Sequence, residues 1–103
     1  MNNRKLIAHE FAEAINSKYI KLIILFGSVA RGEDTSDSDI DILIISNYYE
    51  KIDSIITDLI GDIVLEKQEL ISAHIMSEER FNNTQHFSFL SNVLEEGEIL
   101  VRN

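Results

Sequence analysis

The stretch that decides the fold reads Lys21-Leu22-Ile23-Ile24-Leu25-Phe26-Gly27-Ser28-Val29-Ala30-Arg31-Gly32-Glu33-Asp34-Thr35-Ser36-Asp37-Ser38-Asp39-Ile40-Asp41-Ile42-Leu43-Ile44-Ile45. From Lys21 to Phe26 it is a run of Leu and Ile closed by an aromatic and then by Gly27, the pattern of a strand buried on both faces that stops at a turn. Ser28 to Ser38 is small and polar, which predicts a loop with one short helical turn after Ser28. Asp39 to Ile45 returns to a β-branched apolar run and predicts a second, central strand. On that strand Asp39 and Asp41 are two apart, so both carboxylates leave one face while Ile40 points into the core.

Outward from this segment the periodicity changes. Leu6, Ile7, Phe11, Ala14 and Ile15 recur at helical spacing between about Arg4 and Tyr19. Ile52, Ile55, Ile56, Leu59, Ile60 and Ile63 do the same from about Tyr49, predicting a helix that crosses over the sheet. Leu70 to Met76 predicts a third strand, and Ser77 an N-cap with Glu78 and Glu79 at the positive end of one last helix. Leu90, Val93 and Leu94 mark that helix, Gly97 its C-cap, and Ile99 to Val101 a short edge strand. The expected fold is α/β (α+β): a small mixed sheet with helices packed on it, one domain over residues 1–103.

Composition narrows the class. Eighteen acidic against nine basic residues give a net charge of −9, which repels long nucleic acid and keeps the protein soluble. With no cysteine there is no disulfide frame, thiolate metal site or cysteine nucleophile. The longest apolar runs, such as Ile42 to Ile45, fall far short of a membrane span, and the first residues lack a signal-peptide layout. A cytoplasmic location is expected.

The chemistry resides in the quoted loop and strand. Gly27, where a buried strand gives way to a turn, lets the backbone approach a ligand and aim amide donors from Ser28 and its neighbours at phosphate. Paired carboxylates on an apolar strand repel each other and lose hydration, so Asp39 and Asp41 call for a cation; hard oxygen ligands suit Mg²⁺ or Mn²⁺ shared with substrate phosphates. Five acids between Glu33 and Asp41 would exclude a triphosphate unless metal reversed the local sign. Two rival motifs fail. The Walker A spacing of Gly27 and Gly32 is followed by Glu33-Asp34 where Lys-Ser/Thr is needed, and the EF-hand start Asp37-x-Asp39-x-Asp41 lacks its glycine at Ile42 and its closing acid at Tyr48.

Gly27-Ser28-x-Ala30-Arg31-Gly32, five variable residues, then Ser38-Asp39-x-Asp41 resembles the signature of the minimal nucleotidyltransferases of the DNA polymerase β superfamily, matching at eight specified positions. Ser77 to Phe81 and Phe89 to Gly97 are similar to that family's C-terminal half, less specifically. The resemblance implies a nucleotidyltransferase fold, ATP as donor, metals held by the catalytic Asp39 and Asp41, and a nucleotide site of Gly27, Ser28, Arg31 and Ser38. Ser28 would meet donor phosphate. Arg31 in this pattern more often braces the loop by a salt bridge than touches substrate. Members usually supply a third carboxylate from a neighbouring strand. Here that strand is Leu70 to Met76, and Ser72 and His74 share the relevant face, so a non-acid stands at the expected place; His74 could replace it as a base or be an ordinary strand residue. Glu66 and Glu69, just before the strand, are further candidates.

Larger members of the superfamily hold the acceptor with an added domain, for which this sequence has no room. The resemblance therefore implies a partner protein, a HEPN-type toxin onto which AMP is transferred by an antitoxin. Two other readings stand beside it: a catalytically weak or inactive module that neutralises its partner by occlusion, and nucleotidyl transfer to a small hydroxylated molecule or RNA end. A homo-oligomer is compatible with the sequence.

Overall fold

A computed structural model describes residues 3–103. Along the chain the elements are α1 (Asn3–Ile15), β1 (Leu22–Phe26), α2 (Gly27–Arg31), β2 (Ile40–Ile45), α3 (Tyr49–Lys67), β3 (Ile71–Met76), α4 (Glu78–Asn83), α5 (Ser88–Glu96) and β4 (Glu98–Arg102). The strands form one sheet in the order β3-β2-β1-β4, with β2 and β3 parallel and β1 antiparallel to both of its neighbours. This is the mixed sheet expected, and α3 is the crossover that a parallel β2–β3 pair requires.

The alternation of β1 and β2 divides the core in two. Ile23, Leu25, Ile40, Ile42 and Ile44 face α1 and α3, where they meet Ile7, Phe11, Ile52 and Ile56. Ile24, Leu43 and Ile45 face the other way, against Leu90 and Val93 of α5 with Phe26 and Phe81 alongside. Both inner strands are thus covered on each side, which explains their nearly unbroken apolar sequence. Asp41, odd-numbered like Leu43 and Ile45, projects on the α5 side.

Several boundaries depart from the sequence expectations. The first helix stops at Ile15, short of Tyr19, because the Ser17 hydroxyl accepts from the Tyr19 amide and its carbonyl accepts from Ile20, a local turn that competes with the helix. Its buried stripe is Ile7, Ala8, Phe11, Ala12 and Ile15, rotated so that Leu6 and Ala14 face outward. The expected last helix is two: α4 ends where the Thr84 hydroxyl and amide both donate to the Arg80 carbonyl, and α5 starts afresh at Ser88. Ser77 does cap α4, its hydroxyl accepting from the Arg80 amide at 3.2 Å. Gly97 ends α5 in extended conformation, not left-handed, and glycine is called for by space instead: a side chain there would strike the Val93 carbonyl and Ile24.

Among the described residues no helix is long and apolar enough to cross a membrane.

Candidate active site at the end of the two inner strands

Because β1 and β2 run antiparallel, the last residue of one lies beside the first residues of the other: Phe26 pairs with Asp41. Gly27 follows Phe26 with φ +75°, a left-handed conformation that opens α2 and turns the backbone over the start of β2. A β-carbon built on Gly27 would overlap Asp41 Oδ2 and lie 3.2 Å from its Cγ. The glycine turn and the acidic strand, 14 residues apart in sequence, are therefore in direct contact. Val29 is fully buried beneath the turn and pins α2 to the core, leaving Ser28 partly exposed at the first turn. The amides of a helix's first turn have no partner within the helix, and Gly27, which opens this one, lies against the Asp41 carboxylate.

Asp39 sits one residue before β2 instead of within it, and is exposed. Asp41 is half-buried. Burial pushes its carboxyl above the ordinary carboxylate range; His74 opposes this, Asp39 adds to it by like-charge repulsion, and Arg31 opposes it. A carboxylate that is both desolvated and repelled by its neighbour is the environment a divalent cation relieves, and oxygen donors of this kind suit Mg²⁺ or Mn²⁺. Among the described residues no group of three or more His, Asp or Glu side chains is placed to hold a metal ion. The donor set fits an ion that is bound by one or two carboxylates and completes its shell with phosphate and water.

Ser72 is the register partner of Asp41 on β3, and His74 is the partner of Leu43, so both share the Asp41 face. His74 is exposed, its ring 5.6 Å from that of Phe26 and 6.1 Å from that of Phe89. Glu69 is not available: its Oε2 accepts from Arg4 Nε at 2.8 Å. Glu66 lies exposed on α3.

Arg31 and Ser38 are engaged within the protein. Arg31 Nε donates to Glu33 Oε1 at 2.7 Å and Nη1 to Glu96 Oε2 at 3.2 Å, tying α2 to its own loop and to α5. The Ser38 hydroxyl accepts from the Thr35 amide at 2.9 Å, closing a tight turn just before Asp39. Their geometry is that of braces around the site.

One contributor escaped sequence reading. Arg4 of α1 binds Glu69, donates from Nη1 to Asp34 Oδ2 at 2.9 Å and to the Thr35 carbonyl at 2.6 Å, and from Nη2 to the Ser36 carbonyl at 3.2 Å. Its planar fork gathers the acidic loop and the entry to β3 and so fixes where Asp39 emerges. No motif could have revealed it, since its partners lie 30 to 65 residues away.

The model of the family described as "Nucleotidyltransferase domain" matches residues 8–100, nearly the whole chain. The chain belongs to the nucleotidyltransferase domain family. A protein of Methanocaldococcus jannaschii named a "putative protein adenylyltransferase" is 48% identical over 103 residues, covering 97% of this chain and 99% of its own. A crystal structure described as a toxin–antitoxin with AMP-PNP superposes with a TM-score of 0.59 at 21% identity, over 99% of this nucleotidyltransferase and 75% of that chain. Another, of the toxin–antitoxin MntA-HpeT, gives 0.57 at 20% identity, over 100% and 75%. These two share the fold.

Proposed function

We propose that this nucleotidyltransferase moves AMP from ATP onto a hydroxyl of a partner protein, a toxin of HEPN type that it restrains. The observation carrying the proposal is the contact between Gly27 and the Asp41 carboxylate, which supports a reading in which amides of the glycine turn meet phosphate next to acids that hold a cation. The archaeal relative's name, a protein adenylyltransferase, and the toxin–antitoxin setting of the AMP-PNP structure support ATP and a protein acceptor.

Gly27 and Ser28 would hold the donor's outer phosphates, and Asp39 and Asp41 would hold Mg²⁺ or Mn²⁺ together with those phosphates. When bound, the metal supplies charge neutralisation for an in-line displacement. The acceptor oxygen bonds to the α-phosphorus as the bond to the bridging α–β oxygen breaks. Pyrophosphate departs, and the acceptor's proton passes to a base on the β3 side, where Ser72 and His74 stand.

A second reading has its own observation. Since Ser72 and His74 stand where an acid is usual, and no group of three metal-binding side chains occurs among the described residues, the chain could neutralise its partner by covering it. One measurement separates the two: intact mass of the co-purified partner after incubation with Mg²⁺ and ATP. Transfer is expected to add AMP to the partner, and Asp39→Asn to abolish the gain. An unmodified partner that Asp39→Asn still inhibits would sink transfer in favour of occlusion.

A further inference from the structure

From Gly27 a groove of about 250 Å³ runs between α2 and α5, lined by Phe26, Gly27, Arg31, Phe89, Asn92 and Glu96. It lies next to the Asp41 carboxylate, because Gly27 both lines the groove and contacts Asp41. Its size is a little under the about 300–1,000 Å³ of sites that enclose a whole small ligand, so it suits a part of one.

The groove offers phosphates no free cation: Arg31 is bonded to both Glu33 and Glu96, so its charge is already neutralised and gives a triphosphate no net attraction there. What remains is aromatic and amide. Phe89, 45% exposed, meets Phe26 edge-on with ring centroids 5.5 Å apart, and His74 stands 6.1 Å from Phe89. One turn further along α5, the exposed Asn92 side chain makes no hydrogen bond among the described residues. A planar uncharged ring stacks on an exposed aromatic, and a carboxamide with one donor and one acceptor side matches the donor and acceptor of adenine's edge.

We infer that this groove is the donor-base subsite: the base of ATP stacks on Phe89 and Asn92 reads its amino edge, while the phosphates stay outside at Gly27 and Ser28. The inference rests on the proposed use of ATP at this site and adds the residues that select the base. A carboxylate at position 92 could only accept, which favours a base rich in donors at its edge, as guanine is with its amino group.

Calorimetric titration of the full chain in Mg²⁺ with ATP, GTP and inorganic tripolyphosphate tests it. Phe89→Ala is expected to weaken ATP by roughly tenfold and leave tripolyphosphate unchanged, the loss of one stacking contact. Asn92→Asp is expected to move the ATP-to-GTP affinity ratio toward GTP by about tenfold. Asn92 is exposed and unbonded among the described residues, so Asn92→Asp should keep the wild-type melting curve, and it suffices should Phe89→Ala, which loses the ring contact with Phe26, fail to fold. The subsite is overturned if wild type binds ATP no tighter than tripolyphosphate, if Phe89→Ala weakens both ligands alike, or if the base ratio ignores Asn92→Asp. Failure of the underlying reading looks different: tripolyphosphate binding indifferent to both Mg²⁺ and Asp39→Asn.

Discussion

The carboxylate of Asp41 occupies the space in which a side chain on Gly27 would begin. That contact joins the two halves of the site, and it makes glycine at position 27 a requirement of geometry as well as of backbone conformation.

Gly27 and Gly32 provide a controlled comparison, because both have left-handed φ, +75° and +72°, but among the described residues a β-carbon on Gly32 meets nothing within 4 Å. Alanine at either position should cost about 1–2 kcal/mol through the left-handed backbone alone. Gly27→Ala must in addition displace Asp41, so it should lose Mg²⁺-dependent nucleotide binding while Gly32→Ala keeps it. Melting curves and ATP titrations of the two variants check this; equal ATP affinity in both would contradict the geometry.

Asp41 should be a stability liability without a bound cation. Its carboxyl is raised in the folded protein by burial and by Asp39, so the folded state holds the proton more firmly than the unfolded one. Stability is then full below the ordinary carboxylate range and is lost as pH rises through the raised value. At neutral pH in EDTA, Asp41→Asn should melt a few degrees above wild type, and the gap should close as pH falls into the carboxylate range. A variant that melts below wild type at neutral pH would refute it.

Arg4 should matter to the site without touching its ligand. Arg4→Lys keeps the charge but cannot span Glu69, Asp34 and the Thr35 and Ser36 carbonyls together. Hydrogen exchange is expected to rise across residues 33–38 while the core of β1 and β2 stays protected. Mg²⁺-dependent ATP affinity should fall by about tenfold, the size of effect usual for partners that orient metal ligands. Unchanged exchange in the loop would show that the clamp is dispensable.

Ser72 offers the opposite manipulation. As the register partner of Asp41 on a parallel strand, Ser72→Asp would place a third carboxylate on the same face. In EDTA the added repulsion should lower the melting temperature, and Mg²⁺ should restore it, with metal affinity rising severalfold over wild type. A destabilisation that Mg²⁺ fails to relieve would mean that position 72 does not face the cation site.

The order of elements, the mixed sheet and the glycine turn followed by paired aspartates were legible in the sequence, because each is written in a local pattern: two-residue alternation, helical spacing, a glycine after an apolar run. Legibility failed where a local side-chain bond overrode periodicity, as Ser17 ends α1 and Thr84 divides the last helix. The functional roles of single residues were harder still. Arg31 and Ser38 belong to the motif, yet only the folded chain shows that Glu33, Glu96 and Thr35 engage them.

The sequence by itself determined which backbone segments could be strands, where the chain must turn, and that two aspartates would stand two residues apart at the start of the second strand, since these follow from covalent spacing. Only the tertiary structure decided that Asp41 would lie against Gly27, that Arg4 would gather the acidic loop to Glu69, and that Phe89 would stand beside the site on α5. Those meetings depend on strand pairing and helix packing between residues far apart along the chain, and short-range pattern carries no record of such distances.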